Sequence, residues 1–129
     1  MPQIAPRGTS AKTSALFERF RNLCLRLPET KEVGSWGHPN FRAGKQTFAT
    51  IEWIKERPSL AFRLGDRATA QLLSQNKLLF ATPYGRGQWV SIWVDGPVDW
   101  RLVETFVDRS YRLVALKRMV AALDGQVDA

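Results

Sequence analysis

The chain has very little cysteine and histidine and no long apolar run. Its 129 residues include one cysteine, Cys24, and one histidine, His38. A single cysteine excludes an internal disulfide framework and a zinc site built from several cysteines, and it fits a reducing compartment. No stretch without a charged side chain exceeds nine residues, whereas a membrane-spanning helix needs about twenty apolar residues. We therefore predict a cytoplasmic protein with no membrane partner.

Acidic residues are scarce relative to basic ones. Nineteen Lys and Arg side chains stand against twelve Asp and Glu, which gives a formal net charge of +7. The excess lies in residues 1–65, with eleven basic and five acidic side chains. A positive protein attracts polyanions, mainly nucleic acid or anionic lipid, although such a charge also serves solubility alone. The basic residues form no tract, so the charge is a dispersed field and not a basic tail.

Hydrophobic periodicity divides the chain into a short arm and one domain. Residues 1–13 hold two prolines and a glycine without a periodic pattern, and we predict a flexible N-terminal arm there. Residues 14–129 are predicted to form a single domain. Its elements follow the order α-βββ-β-α-ββ-αα, with strands joined by turns. This order predicts an α+β fold in which an antiparallel β-sheet packs against helices.

An apolar stripe marks the first predicted helix, and capping residues mark the last helical region. Six apolar side chains lie on one stripe of the first helix, whose N-cap is predicted at Thr13 or Ser14: Leu16, Phe17, Phe20, Leu23, Cys24 and Leu27. Near the other end of the chain, Asp99 is predicted to cap the final helical region, and Ser110 to cap a second segment within it.

Two predicted hairpins carry basic and aromatic side chains. In the first, a strand ending at Arg42 pairs back across Ala43-Gly44, and the glycine tolerates a positive φ. In the second, the glycine-rich segment 83–88 joins two apolar strands. A phosphate-binding P-loop would need Lys-Ser or Lys-Thr and a helix after the glycines, but here a strand follows. Trp53 and Trp93 are expected to face the helices, whereas Trp36 and Trp89 border loops.

Four motifs, in the same order, resemble the MmcQ/YjbR family of small bacterial proteins. They are LPET at 27–30, WGHPNFR at 36–42, TPYGRGQWVSIWVDGPVDW at 82–100 and SYRLVA at 110–115, and the resemblance covers residues 14–122. It implies a compact α+β fold, similar to CyaY and to secretion chaperones. It also implies DNA binding through a double wing of β-hairpins, and no enzymatic activity.

The sequence gives little basis for catalysis, a metal site or a cofactor. Cys24 lies on the apolar stripe, where a cysteine behaves as a small hydrophobe, so we predict no reactive Cys24–His38 pair. One histidine without an acidic cluster does not make a metal site. We predict that the protein is not an enzyme and needs no cofactor.

The predicted function is non-catalytic binding of nucleic acid, DNA in the first place, by a monomer. Arg42 and Lys45 stand near one hairpin tip, and Tyr84, Arg86 and Trp89 near the other, where cationic and aromatic groups suit phosphate contact and base stacking. The loop of His38 is a further candidate contact. The alternative is a protein-interaction or chaperone-like module that binds a protein or peptide. The two readings differ in salt response, since phosphate contacts weaken steeply with salt.

Overall fold

A computed structural model describes residues 10–35 and 38–128 of the chain. The helices of this part are α1 (Ala11–Leu25), α2 (Asp66–Gln75), α3 (Trp100–Val114) and α4 (Lys117–Asp128). The strands are β1 (Lys31–Ser35), β2 (His38–Ala43), β3 (Gln46–Ile54), β4 (Arg57–Arg63), β5 (Leu79–Ala81) and β6 (Trp89–Trp93). The α+β fold is thereby confirmed, and the elements follow the predicted order in outline with shifted boundaries.

The six strands form one sheet in the order β1-β2-β3-β4-β6-β5, and every neighbouring pair is antiparallel. The first four strands form a meander. The chain then crosses through α2 to β5 and returns as β6, which lies between β4 and β5. The sheet is therefore not built from hairpins alone, because β4 and β5 run in the same direction on either side of β6.

Alternation along the strands gives the sheet a helix-covered face and a second face. Phe41, Ile51, Leu60, Phe62 and Ile92 belong to the buried core under the helices. At the centre of that core lies Phe20 of α1, which is fully buried and makes edge-to-face contacts with two strand phenylalanines. Four residues of the predicted stripe are buried, and Leu16 and Phe17 pack against the core while staying partly accessible.

The second face carries smaller and more polar side chains. Ala61 of β4 lies there opposite Ser91 of β6, and Ser59 lies there two residues before Ala61. Trp93 also lies on this face, stacked on Phe80 with 4.4 Å between ring centroids. The expectation that Trp93 faces the helices is therefore wrong, because its register places it beside Ser59 and away from the core residue Ile92.

The helix termini differ from the predicted ones at two places. Ser10, and not Thr13 or Ser14, caps α1, with its Oγ accepting a hydrogen bond from the Thr13 N–H. The helix thus begins within the predicted arm, of which residues 1–9 lie outside the described residues. Asp99 caps α3 as predicted. Ser110 caps nothing, because its hydroxyl donates to the Phe106 carbonyl inside α3, as serines in mid-helix commonly do.

Candidate nucleic-acid interface

The two predicted hairpins end at the same edge of the molecule. Since neighbouring strands alternate in direction, the turn after β2, the end of β4 and the loop before β6 all lie at one end of the sheet. We call this the hairpin end, formed by residues 42–47, 63–66 and 82–89. Three strand spacings separate the two hairpins, which corresponds to roughly 14 Å.

The first hairpin turns one residue later than the sequence indicates. Ala43 pairs with Gln46, so the two turn residues are Gly44 and Lys45. Gly44 has a φ of +65°, a conformation that strongly favours glycine. Leu116, between α3 and α4, packs against Gly44, where a Cβ would lie 3.4 Å from its Cγ. Leu116 therefore supports the turn on its inner side. Arg42 and Lys45 remain exposed to solvent.

The loop of the second hairpin is closed by its own backbone. The Gly85 N–H donates to the Thr82 carbonyl at 2.9 Å, and the Gln88 N–H donates to the Gly85 carbonyl at 3.0 Å. Gly85 packs so tightly that a Cβ there would lie 2.9 Å from the Cβ of Trp89. This packing gives Trp89 a supporting role beneath the loop, with its side chain only partly accessible.

Tyr84 and Arg86 point away from the body of the protein. Both residues adopt left-handed backbone conformations, with φ of 61° and 55°. Such conformations are uncommon for residues other than glycine and cluster at functional sites. The Tyr84 side chain is fully exposed, and Arg86 is exposed as well. The loop thus exposes both an aromatic ring and a guanidinium to solvent.

The cations of the hairpin end are not neutralised by neighbouring carboxylates. Elsewhere, Arg21, Arg57, Arg112 and Arg118 form ion pairs at 2.7–3.0 Å. Within the described part of the chain, by contrast, no ion pair involves Arg42, Lys45, Arg63 or Arg86. With four cations and one carboxylate, Asp66, in its three segments, the hairpin end therefore carries a net positive charge.

A cleft of about 260 Å³ lies between the two hairpins. This inter-hairpin cleft is lined by Gln46, Arg63, Gly65, Asp66, Gln88, Leu113 and Val114. The backbone N–H groups of Leu64 and Gly65 both donate to the Gln88 carbonyl, and the Gln88 side chain accepts a hydrogen bond from Arg63 at 2.9 Å. The sequence alone does not indicate this cleft, because its walls come from segments far apart in the chain. The one local signal is the alternation of Leu60, Phe62 and Leu64, which ends before Gly65.

His38 does not join the other five predicted contacts. It begins β2, whereas Arg42 is the residue before the end of that strand, so His38 lies at the opposite end of the sheet. The His38 side chain interacts with the carboxyl of Glu52 on β3. Burial raises the pKa of the Glu52 carboxyl, while the hydrogen bond from Thr50 and the nearby His38 lower it. Trp36, the other candidate in that loop, lies outside the described residues.

Cys24 and His38 lie on opposite faces of the sheet. Cys24 is fully buried among the core side chains, and burial raises the pKa of its thiol well above the ordinary range. His38 alternates in register with Asn40, which pairs with Thr50 on the second face. The geometry therefore gives the Cys24 thiol neither a base nor access to solvent.

We expect Cys24 to resist modification in the folded protein. The thiolate is the reactive form, and burial disfavours it, so labelling must wait for local or global opening of the fold. At neutral pH the native protein should react more than about 100-fold more slowly than protein unfolded in guanidinium. Rapid labelling with an unchanged circular dichroism spectrum would contradict this and would reopen the question of an enzyme.

Comparisons with known proteins agree with the architecture. The YjbR family model matches residues 25–113, well over half of the chain. This chain belongs to the YjbR family. The match spans β1 to β6 and nearly all of α3, so both hairpins of the hairpin end belong to the YjbR domain.

Two crystal structures have a similar fold. One is the Deinococcus radiodurans protein DR2400, with the domain label DUF419, at a TM-score of 0.65 and 18% identity over 84% of this chain and 87% of that one. The other is a Pseudomonas syringae protein, at a TM-score of 0.61 and 14% identity over 75% of this chain and 97% of that one. No curated protein matches significantly. At these identities the likeness shows the YjbR fold alone. Within the described residues, no helix has the length and apolarity needed to cross a membrane.

Proposed function

We propose that this YjbR-family protein binds nucleic acid, DNA in the first place, through the hairpin end and without catalysis. The observation that carries the proposal is the placement of Arg42, Lys45 and Arg86 at one end of the sheet, with none of them ion-paired within the described residues. Two hairpins from different parts of the chain thus contribute to one positive surface.

The geometry favours contact with a phosphate backbone. Exposed cations set roughly 14 Å apart can contact separate phosphates of one strand, and the exposed Tyr84 offers a stacking surface for a base. Among the helices of residues 10–35 and 38–128, none enters this surface with a row of basic side chains, so strong readout of base sequence is not expected. Binding through so few phosphates should be weak, with Kd of about 10⁻⁴ to 10⁻⁶ M at physiological salt.

The test is a variant that removes the three exposed cations. Arg42→Ala, Lys45→Ala and Arg86→Ala together should lower affinity for a DNA duplex by at least about tenfold at low salt, since each phosphate contact releases counterions. The plot of log affinity against log salt should become shallower by up to about 2.7, or about 0.9 for each lost contact. Fluorescence anisotropy at several salt concentrations measures both quantities.

A matched control separates this surface from net charge. The control changes three exposed cations that lie away from the hairpin end. Lys12 is in the first turn of α1, Lys77 precedes β5, and Arg101 is in the first turn of α3. Changing these three to alanine alters the charge equally and should leave affinity within about twofold of the wild type. Equal losses in both variants, or no wild-type binding at about 50 mM salt, would reject the proposal. The protein-interaction reading would then take its place.

A further inference from the structure

We propose that the inter-hairpin cleft accepts an unstacked nucleobase, so that the ligand of the hairpin end is single-stranded nucleic acid. This inference rests on the proposed function and specifies its ligand. At about 260 Å³ the cleft is smaller than the roughly 300–1,000 Å³ typical of pockets for drug-sized ligands. A single planar ring system fits that volume.

The chemistry of the lining fits a base better than a phosphate. Arg63 and Asp66 both line the cleft, so their opposite charges offset one another there, and the Asp66 carboxylate can accept a hydrogen bond from a base amino or imino group. Gln46 and Gln88 add amide donors and acceptors, the groups that pair with base edges. Leu113 and Val114 form an apolar wall against which a ring can pack.

The polar groups of the cleft are held in place before any ligand arrives. The Gln88 backbone carbonyl accepts two N–H groups from the turn that follows β4, and its side chain accepts from Arg63. Of the side chains that line the cleft, Arg63 and Gln88 therefore have little freedom left to lose on binding, which favours recognition.

The surroundings of the cleft favour a strand without a partner. Lys45 directly precedes the lining residue Gln46, and Arg86 lies two residues before the lining residue Gln88, so each cation is close in the chain to one wall of the cleft and can contact phosphates near the inserted base. Exposed Tyr84 can stack on a neighbouring base. A duplex would have to unpair and unstack a base to fill the cleft, whereas a single strand already offers free bases.

The experiment compares three probes by fluorescence anisotropy at about 50 mM salt. They are a thymidine strand of about twelve nucleotides, a base-free sugar-phosphate strand of equal length and charge, and a duplex of equal length. The wild type should bind the thymidine strand about tenfold more tightly than the base-free strand, since base stacking accounts for the difference. It should also bind the thymidine strand more tightly than the duplex.

A paired variant tests the cleft itself. Gln46→Ala with Gln88→Ala should reduce the preference for the thymidine strand over the base-free strand, because Tyr84 alone then remains to stack on a base, while leaving the affinity for the base-free strand and the salt slope unchanged. The matched control is Gln71→Ala with Gln75→Ala, two exposed glutamines of α2, which should keep the preference. If the melting temperature shows that the paired variant is unfolded, Gln46→Ala alone serves, because Gln46 is exposed.

The outcomes separate the two proposals. Equal binding of thymidine and base-free strands, a duplex bound as tightly as the thymidine strand, or an undiminished preference in the glutamine variant would each overturn the base cleft. In these cases the hairpin end would still bind nucleic acid through its cations. Failure of all three probes to bind would overturn both proposals together.

Discussion

Replacing Phe20 with alanine should destabilise the fold by about 3–5 kcal/mol, the usual cost of deleting a fully buried aromatic ring. The ring has no exposed surface, and its centroid lies 5.6 Å from that of Phe41 and 5.9 Å from that of Phe62. Truncation therefore leaves a cavity between α1, β2 and β4, and it removes two edge-to-face contacts. Since a domain is stable by only about 5–15 kcal/mol, the melting temperature should fall by more than about 10 °C.

Leu25→Ala is the matched control for this truncation. Leu25 ends the same helix but is 38% exposed, so its loss should cost less than about 1 kcal/mol. Urea unfolding of the two variants measures the difference. Similar midpoints for Phe20→Ala and the wild type would mean that α1 does not cover the sheet as described.

Replacing Gly85 with alanine should cost about 1–3 kcal/mol, the range found for overpacking at a crowded site. The new Cβ would lie 2.9 Å from the Trp89 Cβ and 3.0 Å from the Thr82 carbonyl oxygen. Trp89 is anchored in β6, so the loop itself has to move. We therefore expect weaker nucleic-acid binding as well, because the loop sets the positions of Tyr84 and Arg86.

Gly96→Ala controls for the change from glycine to alanine. Nothing lies within 4 Å of a Cβ at that position, so we expect stability and binding close to those of the wild type. Thermal unfolding and anisotropy measure both effects. Wild-type behaviour of Gly85→Ala would show that the loop has room to spare and that its shape does not control binding.

Local patterns predicted the elements well because the forces behind them are local. The apolar stripe of α1 follows from helical spacing, and the Asp99 cap from the unpaired N–H groups of a helix start. The cap predicted at Ser110 is wrong because a serine hydroxyl can accept a hydrogen bond at a helix start or donate one to a carbonyl within a helix, and the sequence does not distinguish the two. Only the continuation of α3 to Val114 decides between the two.

Strand order and the assembly of the site were beyond the sequence for a different reason. Nothing in residues 57–93 indicates that β6 pairs with β4, because that pairing depends on how the whole core packs. The order nevertheless decides that Arg63 stands between the two hairpins. For the same reason His38 was grouped with Arg42, although one strand length separates them. The family resemblance is confirmed, but it predicted only the fold and not how far apart His38 and Arg42 lie.

The position of β6 also bears on how the protein assembles during synthesis. Until residues 89–93 leave the ribosome, β4 remains an unpaired edge, and β5 lacks its partner. Exposed strand edges invite pairing with other chains, so the nascent chain passes through an aggregation-prone stage. Docking of the β5–β6 hairpin ends that stage, because it fills the edge of β4 in one step. The hairpin that carries Tyr84 and Arg86 is therefore also the piece that completes the sheet.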